Sequence, residues 1–285
     1  MKEKTANAWQ KSVNSVVDYI NRHLAEPISL PQVAAVAHVS EFHFHRIFYA
    51  CTGESLGSYY TRLRLERAAQ LLQNSQMKLA DIADKTGYQT AYALSKAFKR
   101  HFGLSPSAFR NMHTWFAAQI PKRDMPAFCP KPIIVEAPPR ELMYIRIIAK
   151  YGEKAPYERA WKQLWQHAKE QLLLTGKTEY LGLSFDDPHI TQDNKCRFYA
   201  CITVPETTKA KGPFGRYSLP KSKYAVFTHK GSYDGLDSLY QAIYRVWLPE
   251  SGKQLGNSMP FEKYLNNPDK VAPEDLLTEI HIPIK

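Results

Sequence analysis

The second half of the chain repeats itself. Trp161 and Tyr240, Trp165 and Tyr244, Pro188 and Pro268, and Pro205 and Pro283 recur in the same order at offsets of 78 to 80 residues. Self-similarity at a fixed period means one supersecondary unit used twice, its copies burying what neither buries alone. Each copy reads as strand, helix, strand, strand. In the first copy these are Arg140–Ile148, a helix with Tyr157, Trp161, Leu164, Trp165, Ala168 and Leu172 on one face, then Tyr180–Phe185 and Arg197–Val204. The second copy has Lys223–His229, a helix with Leu236, Leu239, Tyr240, Ile243, Tyr244 and Trp247, then Phe261–Leu265 and Leu276–Ile282 ending at Pro283. Residues 133–285 are therefore expected to form an α+β domain of duplicated β-α-β-β units.

The first 116 residues have a different texture, and the spacing predicts helices throughout. Val13, Val16, Val17, Ile20 and Leu24 recur at three and four, ahead of Pro27. Ser29 opens a short helix to Ala37 with Gln32 in capping-box position. Ser40 caps Glu41–Thr52, closed by Gly53. A longer helix covers 55–74, then Leu79–Lys85 and Thr90–Phe102 follow, with a last turn at Ser107–Asn111. Between the halves, residues 117–132 carry four prolines and read as a stiff linker.

Composition narrows the class. The 285 residues are 44% apolar and 23% charged, ordinary for a globular chain of two domains. No apolar run spans a bilayer, and the N-terminus lacks a secretory apolar core. The four cysteines (Cys51, Cys129, Cys196, Cys201) show no CxxC spacing, so a reduced cytoplasmic setting is expected and a zinc ribbon is not. The net charge of +11, denser in the first 115 residues, is compatible with nucleic acid.

Two helix-turn-helix patterns give that charge a use. Leu30–Ala37 supports, His38-Val39 turns and Ser40–Thr52 reads; Leu79–Lys85 supports, Thr86-Gly87-Tyr88 turns and Thr90–Phe102 reads. Joined by the helix over 55–74, the two reading helices suit successive major-groove segments about 34 Å apart on one duplex. Val39, Phe44, Ile47 and Phe48 are spaced to pack inward, which leaves Glu41, Phe42, His45, Arg46 and Tyr49 outward. Arg46 suits a guanine edge or a phosphate, or else a surface pair with Glu41 or Glu54. His45 is either a base reader or a solvated helix-face histidine, and Phe42 either meets thymine methyls or belongs to the core. In the second helix Leu94, Ala97 and Phe98 pack inward; Gln89, Ala91, Tyr92, Ala93, Lys96 and Lys99 face out, the lysines toward phosphates or solvent. His43-x-His45 diverges on a helix and makes no metal site.

At these residues a resemblance is plain. SEFHFHRIFYACTGESLGSYYTRLRLERAAQLL and IADKTGYQTAYALSKAFKRHFGLSPSAFR resemble the AraC/XylS family of transcription regulators over about residues 10–113. The resemblance implies a bipartite DNA-binding domain with base contacts from Phe42, His45 and Arg46 in one helix and Ala91, Tyr92, Ala93 and Lys96 in the other. Members often carry Trp or a polar residue where Phe42 and His45 stand, so the operator is not carried over.

The repeated domain is rich in aromatics. Tyr144, Trp161, Trp165, Phe185, Tyr224, Phe227, Tyr233, Tyr240, Tyr244, Trp247 and Tyr264 are candidates for lining a cleft or for the core. Rings around one carboxylate recognise a bulky organic cation. Glu262 and Tyr264 share a strand face by period-2 alternation, and Glu262 is either that carboxylate or a strand-end partner of Lys263. KYAVFTHKGSYDGLDSLYQAIYRVWLPESG, MPFEKYLNNP and the final EIHIPIK resemble the GyrI-like small-molecule-binding domain over 133–285, which implies a ligand role for the Phe-Glu-x-Tyr glutamate. The expected ligand set is Glu262, Tyr264, Tyr144, Trp161, Phe185, Tyr224 and Trp247.

No HExxH, GxxxxGK[ST] or GxGxxG occurs. The expectation is a non-enzymatic DNA-binding regulator whose second domain binds a small, cationic or amphipathic aromatic effector. Double-stranded DNA and RNA polymerase are its expected partners, with no cofactor, metal or membrane. The alternative, implied by hydrolases among GyrI-like domains, is a hydrolase or ligand-sequestering protein fused to a DNA-binding domain.

Overall fold

A computed structural model describes residues 2–119 and 129–285, and divides into two compact units. The expected linker, 117–132, falls largely on residues 120–128, outside those described.

The first unit is helical among its described residues: α1 (Lys2–Arg22), α2 (Leu30–Ala37), α3 (Glu41–Thr52), α4 (Leu56–Asn74), α5 (Leu79–Lys85), α6 (Ala91–Phe102) and α7 (Pro106–Gln119). Side-chain caps start most of them. Ser29 and Gln32 close a full capping box on α2, and Ser40, Ser55 and Thr90 accept from backbone N–H groups of His43, Ser58 and Ala93. The closing turn expected at Ser107–Asn111 is instead the 14-residue α7. Pro106 stands at its first position, where a missing N–H costs nothing, and Ser105 accepts from the Ala108 N–H at 3.1 Å.

Two cores lie along α4. Val16, Val17, Ile20, Phe44, Phe48 and Tyr59 pack into the first. Leu65, Leu72, Ile82, Leu94 and Phe98 make the second. Arg62 is buried on α4 and pairs with Glu54 at 2.6 Å and Glu66 at 3.0 Å, tying α4 to the loop behind α3. Such a pair is costly to break from one side, because a lone buried charge remains.

The second unit is one antiparallel sheet of eight strands with helices on one face. Its strands are β1 (Ile133–Ala137), β2 (Arg140–Ile148), β3 (Tyr180–Ser184), β4 (Arg197–Thr203), β5 (Phe214–Leu219), β6 (Ser222–Lys230), β7 (Phe261–Tyr264) and β8 (Leu277–Ile284). The order β1-β6-β8-β7-β3-β4-β2-β5 reads outward from the β7–β3 seam as the same arrangement twice. Between β2 and β3 lies α8 (Lys154–Glu170); between β6 and β7 lies α9 (Leu236–Ala242), continued by the π-helical segment Ile243–Trp247. The duplicated β-α-β-β unit is thus the organising feature, with β1 and β5 added at the edges beyond what the repeat predicts.

Strand β8 runs past the expected stop at Pro283. The Pro283 carbonyl accepts from Gly256 on the side away from β6, so the absent N–H of the same residue also faces away from the β6 ladder. On the helix side, Leu164 and Ala168 pack on Met143, Ile145, Phe198 and Ala200, while Leu236, Leu239 and Ile243 pack on Phe227, Ile280 and Ile282. The opposite face carries Leu142, Tyr144, Leu181, Tyr199, Tyr224 and Phe261. Among the described residues no helix is long and apolar enough to cross a membrane.

Candidate functional site

Each reading helix turns one face to its core and the other to solvent. On α3, Phe44, Ile47 and Phe48 are buried, whereas His45, Arg46 and Tyr49 are exposed. The Phe42 side chain lies outside the described residues. On α6, Leu94 and Phe98 are buried; Tyr92 is 77% exposed, Lys96 and Lys99 are exposed, and so is Gln89 just ahead of the helix. Ala91 and Ala93 are half-buried rather than open, because they sit in the first turn against the Thr90 cap, where Ala93 donates its N–H to Thr90 Oγ1. Lys99 and Arg100 lie in the last turn of α6, where the helix dipole favours cations.

The second site is on the helix side of the sheet, at the seam between the two repeats. Glu262 on β7 is 7% exposed. Tyr264 donates its hydroxyl to Glu262 Oε2 at 2.6 Å, and Tyr240 from α9 donates to Oε1 at 3.2 Å. Around them, Trp161 of α8 meets the Tyr264 ring edge-on at 5.6 Å and Tyr233 meets it at 5.5 Å. Tyr244 lies parallel to Tyr240 at 6.4 Å. The next two strands supply small floor residues: Glu262 pairs with Gly182 on β3, which pairs with Ala200 on β4. A side chain at Gly182 would collide with the Tyr264 hydroxyl and the Phe198 ring.

Electrostatics in this cage follow from burial. Desolvation pushes the Glu262 carboxyl up, and the hydroxyls of Tyr264 and Tyr240 partly oppose the shift. The same burial, then the Glu262 charge, pushes Tyr233 up to about 12 and raises Tyr157 and Tyr264. All of these phenols therefore keep their protons at neutral pH. Among the described residues no lysine or arginine pairs with the Glu262 carboxylate.

The structure brings together only part of the expected ligand set: Glu262, Tyr264 and Trp161. Tyr144, Phe185 and Tyr224 lie on the other face of the sheet. Tyr144 stacks on Tyr199 at 4.0 Å, with Arg146 donating to both hydroxyls; Phe185 packs on Tyr199 at 4.3 Å; and Tyr224 meets Phe261 at 5.2 Å and Ser258 Oγ at 2.9 Å. Strand alternation decides this: the cage row takes Phe227, Ile280, Glu262 and Gly182, so Tyr224 and Tyr144, one step out of phase, point away. Trp247 shares the helix side but packs on Phe227 at 5.0 Å in the core of the second repeat. Trp165 is exposed on the outer face of α8 under Lys169.

Gly182 escaped the sequence reading, and Tyr157 reads only as an inward helix position four residues before Trp161, not as a ligand candidate. A glycine on a cage floor carries no sequence signal of its own. Among the described residues no group of three or more His, Cys, Asp or Glu side chains is placed to hold a metal.

Comparison with known proteins finds matches to both units. Residues 130–285 match the GyrI-like small molecule binding domain, and residues 33–112 match a helix-turn-helix domain. The chain is 22% identical to the transcriptional regulator Rob of Salmonella typhimurium and 23% to the right origin-binding protein of Escherichia coli, in each case over 96% of this chain and 98% of the relative. It is 32% identical to the multiple antibiotic resistance protein MarA of Salmonella typhimurium, over 36% of this chain and 82% of that one. Among solved structures, the match to EcmrR in an EcmrR-DNA complex covers 90% of this chain and 98% of that one at 16% identity, with a TM-score of 0.49. The chain belongs to the family of the GyrI-like small molecule binding domain and joins that domain to an AraC-type DNA-binding helix-turn-helix module, the architecture of a transcription regulator.

Proposed function

We propose that the protein is an effector-responsive regulator that reads one duplex with α3 and α6 and binds an organic cation at Glu262. On this reading Arg46 and His45 meet base edges, with Phe42 beside them, while Gln89, Ala91, Tyr92 and Ala93 present the start of α6 to the second groove segment. Lys96 and Lys99 hold phosphates.

The observation that carries the effector reading is the Glu262 carboxylate: buried, held by phenol hydroxyls and paired with no cation among the described residues. A buried anion left so is stabilised by a ligand that brings the positive charge, and the ring faces of Trp161, Tyr233 and Tyr264 suit a flat or greasy one. Occupancy then shifts how the DNA-binding module engages its promoter, with RNA polymerase as the downstream partner in a cytoplasmic, nucleoid-associated setting. A ligand shifts that balance only by its differential affinity for two states.

Titrating tryptophan fluorescence against matched cationic and neutral aromatic compounds tests the reading. Cations bind and their neutral isosteres do not; Glu262→Gln loses the preference. The compound is recovered intact, since Glu262 binds without turnover. Equal affinity for both members of each pair overturns the effector reading, and steady hydrolysis by the unchanged protein but not by Glu262→Gln replaces it with catalysis.

A further inference from the structure

Helix α4 carries two cores, but a shared helix alone does not fix the angle between the domes built on it. A second tie closes that freedom. Arg64 lies over the Tyr60 ring at 5.1 Å, one turn earlier on α4, and over the Tyr88 ring at 4.4 Å, in the turn that precedes α6. Its Nε donates to the Thr86 carbonyl in that same turn. Tyr60 in turn donates its hydroxyl to the Glu26 carbonyl, in the stretch between α1 and α2.

The turn comes equally close from its own side. Gly87 has φ of +72°, and any Cβ there would overlap both the Ala25 carbonyl and the Arg64 guanidinium. Thr86 is fully buried and bonds back to the Ile82 carbonyl at 2.7 Å, which ties the turn to α5. The guanidinium thus sits where three segments converge: the approach to α2, the middle of α4 and the approach to α6. Its planar face is matched by two rings and its edge by a carbonyl, a combination a lysine ammonium does not reproduce.

We propose that Arg64 is a positioning residue for DNA reading: by clamping the α5–α6 turn to α4 and, through Tyr60, to the α1–α2 stretch, it sets the spacing and angle at which α3 and α6 meet a duplex. Arg64 need touch no DNA to do this. Its effect is on which half-site spacing the protein accepts. The proposal rests on the reading that both helices engage one duplex.

The probe is the duplex that the full chain selects from a random-sequence library, with its two contacted boxes located by footprinting and zero, one or two base pairs inserted between them. Each insertion moves the second box by roughly 3.4 Å and a tenth of a turn. The unchanged protein loses roughly a hundredfold in affinity on insertion, as expected when geometry forbids simultaneous engagement. In Arg64→Met, which keeps the length and helix preference of the side chain, the insertion penalty falls to below about tenfold while a single-box duplex binds as before. Tyr88→Leu removes one ring face without touching α4 and behaves the same way, so a folding failure of one variant leaves the other to decide. An undiminished penalty in the folded variants overturns the clamp. A flat spacing profile in the unchanged protein removes the two-helix reading, and the clamp with it.

Discussion

Burial raises the Glu262 carboxyl above the usual carboxylate range, the Tyr264 and Tyr240 hydroxyls opposing the shift. A carboxyl raised in the folded state holds its proton more tightly there than in the unfolded chain. Its contribution therefore favours folding below the unfolded value and is lost as pH rises through the folded one. Glu262→Gln, which never ionises, should raise the melting temperature of the ligand-free protein at neutral pH, by roughly 2–4 °C for each kcal/mol regained. That gap should shrink as the pH falls into the acid range, and a gap independent of pH between 4 and 8 would show the carboxylate to be well solvated. The DNA face gives a second test at the same scale. Replacing Arg46 by Ala should relax sequence preference at its base pair by about 1–3 kcal/mol, whereas Lys96→Ala should weaken all sequences alike and lower the salt slope by about one. Competition binding across a salt series separates the two, and identical behaviour of both variants would assign Arg46 to a phosphate.

Helices α3 and α6 were readable almost to the residue, because a cap, a 3.6-residue apolar spacing and a closing glycine agree along each of them. Where one such signal pointed the wrong way the reading failed. Pro106 marks the beginning of α7 instead of a break, and Pro283 sits inside β8 because its missing N–H faces away from β6. Strands β1 and β5 were not legible: the first is five residues long beside a proline-rich stretch, and the second contains Gly215. The cap that made α6 readable also stabilises it. Thr90→Ala should cost the first unit about 1 kcal/mol, measured by urea unfolding. Phe98→Ala, which empties a fully buried site packed against Phe102 and Phe109, should cost about 3–5 kcal/mol. If Phe98→Ala cost no more than Thr90→Ala, the second core would not be what holds α6.

Across the molecule, the division into a helical half and a repeated α+β half could be read from periodicity, since the two textures differ in period. The composition of the cage could be read only in part. Alternation along a strand says which residues share a face; it does not say which face receives the helices. That choice depends on α8 and α9 settling on the side of Met143 and Phe227, a tertiary outcome, and it is why Tyr144 and Tyr224 fall on the face opposite Glu262. The duplication also has an outcome of its own. At the line where they meet, one copy contributes an acid and the other, directly across from it, a residue with no side chain at all. On the proposed reading of Glu262, a guest would find one ionic anchor and could not be turned end for end without losing it. Compounds with two well-separated positive charges should bind no more tightly than their singly charged counterparts, and paired titrations would expose a second anchor if one existed.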